Sequence, residues 1–189
     1  MQSVGEVMAI GRTFCESLQK AVRSLETGRR GLNCDPVEHE LDVLSDDELV
    51  LAAAIPTPDR IFQVEAALRR FVSVERLQEV TGIDPWFLDQ ILQIVEERDR
   101  LRPLGRDLAL VSRADWRRAK RFGFSDAQLA YLWDALDADV RAARLAAGVR
   151  VTFKTVDTCA AEFAAFTPYH YSTYEDEDEI APLDKPAVI

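Results

Sequence analysis

Apolar residues recur at helical spacing along most of this chain, in short runs opened by a polar capping residue and closed by Gly or Pro. Phe14, Leu18, Val22 and Leu25 form the first stripe. Thr13, with Glu16 three positions on, has the capping-box pattern that starts it, and Gly28 can end it. Ser45 and Glu48 repeat the box for a short helix that Pro56 terminates, and Pro58 then sits where a helix prefers to begin. That next helix is expected to carry Ile61, Val64, Ala67, Leu68 and Phe71. Ser73 caps a short helix through Val80 that Gly82 closes, and Asp84 with Pro85 opens a longer one whose Trp86, Leu88, Ile91, Leu92 and Val95 supply apolar contacts. A helix over Ala114 to Phe122 ends at Gly123. Ser125 and Gln128 cap a helix bearing Leu129 and Leu132, and a turn near Asp137 leads on to Val140, Leu145 and Gly148. Superposing Ser73 on Ser125 brings Leu77 onto Leu129 and Val80 onto Leu132, the pattern of two degenerate helix-turn-helix units.

Other stretches lack this period. Ser3 to Arg12 is apolar with two glycines and suits a strand or tight loop. From Arg29 to Leu44, Gly31, Asn33, Asp35 and Pro36 interrupt any periodicity, which reads as a linker in which Glu38, Glu40 and Asp42 are solvated carboxylates. Beyond Gly148, Val149, Val151, Phe153 and Val156 suggest an extended segment, followed by a turn around Ala160 to Phe163 and an extended aromatic stretch from Pro168 to Tyr174. Tyr169, Tyr171 and Tyr174 are expected to pack this connector over the helical core. The final PLDKPAVI looks like the start of a strand without a partner, so the chain is expected to be a fragment of a larger protein. The fold class is therefore all-α, an irregular helical domain of short capped helices with short extended segments at both ends.

Composition narrows the chemistry. With 189 residues and 48% hydrophobic content the chain can bury a core, and no apolar run approaches the roughly 18 residues that span a bilayer. Together with the absence of a signal segment this predicts a cytoplasmic protein. A net charge of -10 disfavours nucleic acid as a partner. The charge is nevertheless segregated: Arg98 to Arg121 holds nine Arg or Lys against three Asp, and Glu175 to Glu179 is unbroken acid. These read as a solvated helix face and tail, or as contacts to neighbouring domains. Cys15, Cys34 and Cys159 lie far apart without metal-ligand spacing, so buried structural thiols are expected, and His39 and His170 stand alone. No phosphate-cradling glycine loop and no nucleophile, base or metal set is present, so no catalytic residue, cofactor site or metal site is assigned.

Two stretches resemble a known family. SVGEVMAIGRTFCESLQKAVRSLE (Ser3 to Glu26) and VDTCAAEFAAFTPYHYSTYE (Val156 to Glu175) are similar to the segments that bracket the helical oligomerisation domain of the carbamoyl-phosphate synthase large chain, and DRIFQVEAALRRFVSVERLQEVTGIDPWFLDQI between them is similar to the domain itself. The resemblance implies that residues 1–28 end the first ATP-grasp (carboxyphosphate) unit, 29–44 link, 45–150 form the helical oligomerisation domain, and 151–189 connect to the second synthetic half. It implies a parent that makes carbamoyl phosphate from bicarbonate, glutamine-derived ammonia and two ATP for arginine and pyrimidine biosynthesis. ATP, Mg or Mn, and K would act elsewhere in that parent, and this piece is not expected to be active alone. By the same resemblance Met1 and Glu6 line the passage that carries carbamate between the active sites, against the alternative that Glu6 pairs with Arg12 or another Arg. Implied partners are the other domains of the large chain, the glutaminase small subunit and further copies of the chain. Gln2, where a basic residue is common, and His170, within the aromatic stretch, depart from the family pattern.

A helix-turn-helix DNA-binding protein is the alternative, suggested by Ser73 to Val95 and the basic stretch after Arg98. Its second helix opens Asp84-Pro85-Trp86-Phe87-Leu88-Asp89, with acids and large apolar groups where base-reading side chains belong.

Overall fold

The computed structural model describes residues 6–160, 162–163 and 169–180. Met1, the terminal PAVI stretch, Pro168 and part of the expected turn over 160–163 lie outside them. Nine α-helices are seen among the described residues: α1 (Phe14–Ser24), α2 (Glu38–Asp42), α3 (Asp46–Ala54), α4 (Arg60–Arg69), α5 (Val74–Thr81), α6 (Pro85–Leu101), α7 (Arg113–Arg121), α8 (Asp126–Leu132) and α9 (Asp137–Ala146). Two 3-10 turns, Arg102–Arg106 and Leu108–Leu110, join α6 to α7. The strands β1 (Thr152–Val156) and β2 (Tyr169–Thr173) pair antiparallel, with Lys154 opposite Tyr171. The protein is thus largely helical and not strictly all-α. The extended segment and the aromatic stretch, expected as separate connectors, satisfy each other's backbone groups as a hairpin.

The helix starts follow from their caps. Ser45 with Glu48 and Ser125 with Gln128 form complete capping boxes, and Ser73, Ser112 and Asp84 accept from the amides of Arg76, Asp115 and Trp86. At α1 the box is stretched by one residue: Thr13 accepts from Glu16 N, while the Glu16 carboxylate takes the amide of Arg12 at 2.7 Å. The 17-residue α6 is the spine, against which α1, α4, α5 and α7 pack. Leu77, Leu88, Ile94 and Leu101 are buried beside it, and Trp116 and Trp133 meet edge to face at 5.2 Å farther along. The indole of Trp133 donates to Leu101 O at 2.9 Å. Gly105 leaves room for that indole, because a Cβ there would lie 1.9 Å from Trp133 Cγ.

Four helices end in the same way. The residue after the cap turns left-handed, its amide reaches back three positions, and the next amide reaches back five. Phe71 and Val72 do this at α4 (N to Leu68 O and Ala67 O, both 3.0 Å), and Gly123 and Phe124 at α7 (to Lys120 O at 3.0 Å and Ala119 O at 3.1 Å). Asp134 with Ala135 closes α8, and Gly148 with Val149 closes α9. Phe71, expected on the apolar stripe of α4, therefore lies past the helix end and is 92% exposed. Only three residues separate Arg69 from the Ser73 cap, so one of them must reverse the chain, and the side chain at that position turns outward.

The irregular segment before α2 is not a surface loop. Residues 31–35 are buried, and Asp35 accepts from the amides of Arg30 and Val37. Glu38, expected to be solvated, is buried and pairs with Arg98 of α6 at 3.1 Å; the chain turns left-handed at Cys34 (φ 57) and α2 packs on α4.

Candidate interaction surfaces

Of the residues expected to line a passage, Met1 lies outside the described region and Glu6 is exposed. Arg12 does not pair with Glu6. Its guanidinium faces the hydroxyl of Tyr171, with Glu175 and Glu179 nearby, and these contacts raise its pKa. No group of three His, Cys, Asp or Glu side chains among the described residues is placed to hold a metal ion. Burial pushes the Cys15 thiol up to about 11 and the Cys34 thiol up to about 12, which makes both poor nucleophiles. Cys159 is only partly buried. Tyr131 OH lies 3.3 Å from His39, and Thr155 OH lies 3.2 Å from His170.

The chemistry of the interior is polar connection. Gln128 donates to Gln19 Oε1 at 2.9 Å and to Asn33 O at 2.8 Å, while Gln19 accepts from Leu32 N. These bonds tie α1, the irregular segment and α8 together. Next to them Asn33 donates to Glu65 at 3.0 Å, and Arg69 lies 3.5 Å from the other oxygen of the same carboxylate. Burial raises the pKa of Glu65 to about 7; Arg69 opposes the shift and Glu38 adds to it. At the opposite end, Lys120 lies 2.9 Å from Asp126 and is pushed down to about 8 by burial, against the pull of that carboxylate. Arg144 grips Asp126 and also donates to Val149 O at 2.7 Å.

The basic helix and the acidic run find each other. Arg117 pairs with Asp176 and Glu175, Arg121 pairs with Glu175 at 2.8 Å, and Arg117 donates to Tyr174 O. Glu179 bonds Lys154 and the amide of Thr155. Lys20 of α1 donates to Ile10 O and Ser172 O, so one ammonium joins the early extended segment to the hairpin. Tyr174 lies under Lys120 and Arg144, and Tyr171 under Lys20, whereas Tyr169 is exposed. Between these parts opens a cleft of about 1150 Å³, lined by apolar Ile10, Phe124 and Phe153 and by the paired charges of Glu16, Lys20 and Asp126. Its charged groups are already engaged with protein partners.

Among the exposed apolar side chains of the described residues, two aromatic features stand beside grooves. Phe14, Trp86 and Phe87 cluster with centroids 5.0 to 5.4 Å apart, Trp86 edge-on to both phenylalanines, and Trp86 (53%) and Phe87 (44%) remain exposed beside a 300 Å³ groove lined by Leu18, Ile61, Ile83 and Ile91. Trp86, expected to supply a core or subunit contact, packs on Phe14 and Phe87 and keeps about half of its surface in water, while Asp84 accepts from its amide at 2.8 Å. The second feature is Phe71 next to a groove of about 320 Å³. The start of α6 therefore offers aromatic groups flanked by Asp84 and Asp89, a surface unsuited to reading DNA.

Known proteins resemble this chain along its length. Residues 6–148 match the family described as carbamoyl-phosphate synthetase large chain, oligomerisation domain. A carbamoyl phosphate synthase large chain from Nostoc is 49% identical over 189 residues, covering 100% of this chain and 17% of the relative. One from Renibacterium salmoninarum is 52% identical over all of this chain and 16% of the relative. The arginine-specific, chloroplastic large chain of rice is 46% identical over the same share of both. The chain thus spans about one sixth of the curated relatives it matches.

Proposed function

The chain belongs to the carbamoyl-phosphate synthase large-chain family, whose oligomerisation domain it carries, and on that premise we propose that it serves as a scaffold that binds copies of itself and neighbouring units of the same large chain. The observation that carries the reading is the match over residues 6–148 to that domain. The outward Trp86 cluster and Phe71 support it, since large exposed aromatics are enriched where proteins meet.

The remaining assignments follow from family membership. The parent makes carbamoyl phosphate from bicarbonate, glutamine-derived ammonia and two ATP in the cytoplasm, with a glutaminase small subunit. Nucleotide, magnesium or manganese, and potassium act in other parts of that parent, and this piece positions those parts without turnover of its own. Residues 1–28 belong to the end of the first synthetic unit, 29–44 to a packed linker, 45–150 to the helical domain, and 151–189 to the connector toward the second unit. Met1 and Glu6 border the carbamate passage in the parent. In a complete large chain, Glu6→Ala is expected to loosen the coupling of ATP consumption to product; tight coupling in that variant contradicts the passage role.

Sedimentation velocity of this chain over a wide concentration range tests the scaffold reading. A reversible, concentration-dependent oligomer is expected, and a monomer at every concentration contradicts self-association.

A further inference from the structure

We propose that the arginine face of α7 is a docking site for an extended acidic segment of another polypeptide, which the chain's own acidic run fills in part and a better-matched segment displaces. The inference goes beyond the self-association reading and stands without it.

The first observation is the face itself. Arg113, Arg117 and Arg121 follow one another at four-residue steps along α7 and, with Arg118, line a surface groove of about 390 Å³. Four residues of helix rise about 6 Å, and alternate side chains on one face of an extended segment lie about 6.6 Å apart. Acids at every second position of an extended segment therefore meet the three arginines one for one. In a chain of net charge -10, this local surplus of guanidinium groups draws carboxylates to one place.

The second is the present occupant. Two residues beyond the end of β2, Glu175 pairs with Arg121 at 2.8 Å and approaches Arg117 at 3.9 Å, while Asp176 takes another nitrogen of Arg117. Non-helical chain carrying carboxylates thus fits across this face.

The third is that the fit is incomplete. Arg113 is exposed and makes no ion pair among the described residues, so the acidic run covers one end of the stripe and leaves the other open. Nη2 of Arg117 has no hydrogen-bond partner among the described residues. Glu97 holds Arg118 at 2.8 Å from below, and the Arg118 side chain is still 56% exposed. The Asp176 side chain is 72% exposed, and ion pairs so open to water hold weakly and exchange readily.

Fluorescence anisotropy with a labelled peptide that carries three Glu at alternate positions tests the site, with a second peptide of the same composition and consecutive Glu for comparison. The alternating peptide is expected to bind the chain at low salt and to bind more tightly than the consecutive one. Arg113→Gln, at an exposed position that leaves the acidic run in place, is expected to weaken binding about threefold, the scale of one exposed ion pair. Glu175→Gln is expected to tighten it about threefold by loosening the occupant. Glu177→Gln makes the same charge change at a residue without an ion pair to α7 and is expected to do less. Absence of binding, equal affinity for the two peptides, or an affinity unmoved by Arg113→Gln overturns the proposal. Inorganic phosphate that competes at the peptide's own concentration also overturns it, and reassigns the groove to small anions.

Discussion

The ends of α4 and α7 share one hydrogen-bond pattern and differ in the residue that turns the chain. At α7 the turn is Gly123, where a Cβ would come within 2.9 Å of Gln19 Cβ and 3.1 Å of Glu16 Cα, so the fold itself demands glycine. At α4 the turn is Phe71, which the fold does not demand and which faces water. The buried charged groups the two helices carry differ as well: Glu65 in the middle of α4 and Lys120 in the last turn of α7. One end is closed by the monomer's own packing. The other keeps a strained, exposed ring that the monomer's own packing leaves uncovered.

The largest way to break this comparison is pH. Glu65 has a usual pKa of 4.5 that burial raises to about 7, so between these values the folded chain binds the extra proton and stability falls as pH rises. Lys120 has a usual pKa of 10.5 lowered to about 8, so between about 8 and 10.5 the unfolded chain binds more protons and stability rises with pH. Urea unfolding across pH is expected to show the first slope with a span on the order of 3 kcal/mol, flattened in Glu65→Gln. A slope that survives in Glu65→Gln would assign the effect to another group.

Gly123→Ala comes next. Left-handed strain and the overlap with α1 together are expected to lower stability by roughly 2 to 3 kcal/mol, read as a lower urea midpoint with unchanged steepness. The smallest effect has the opposite sign: Phe71→Gly is expected to raise monomer stability by about 0.5 to 1 kcal/mol, since relief of strain exceeds the added freedom of the unfolded chain. Were Phe71→Gly to destabilise the dilute monomer, the ring would hold the α4 end from within.

Much of this contrast was legible in local sequence and some was not. The starts of α3, α5, α6 and α8 were read from their caps because a cap is a contact within one turn. Leu77 and Leu129, four residues after their cap serines, are both fully buried as the parallel between the two units implied. Ser112, the cap of α7, has an acid three residues on and was recoverable by the same rule. Helical spacing extends the α4 stripe to Phe71, whereas the short gap before Ser73 is the local signal that the chain must reverse there. Glu38 with Arg98, Asn33 with Glu65, and Arg117 with Asp176 join residues 32 to 60 positions apart, and no local pattern encodes which distant charge meets which. The hairpin is illegible for the same reason, since 12 residues separate its two strands in the chain and each alone reads only as extended. The family resemblance carried the functional reading, because an assembly surface lacks the fixed residue spacing of a catalytic or metal site.

The most direct test of the account is amide hydrogen exchange on this chain at dilute and at associating concentrations. Protection gained around the exposed aromatics, over Phe71 to Val74 or Trp86 to Leu88, with the Gly123 end unchanged, is the result expected if the chain binds copies of itself through those surfaces. Protection gained at the Gly123 end instead, or association with no change around either Phe71 or Trp86, would contradict it.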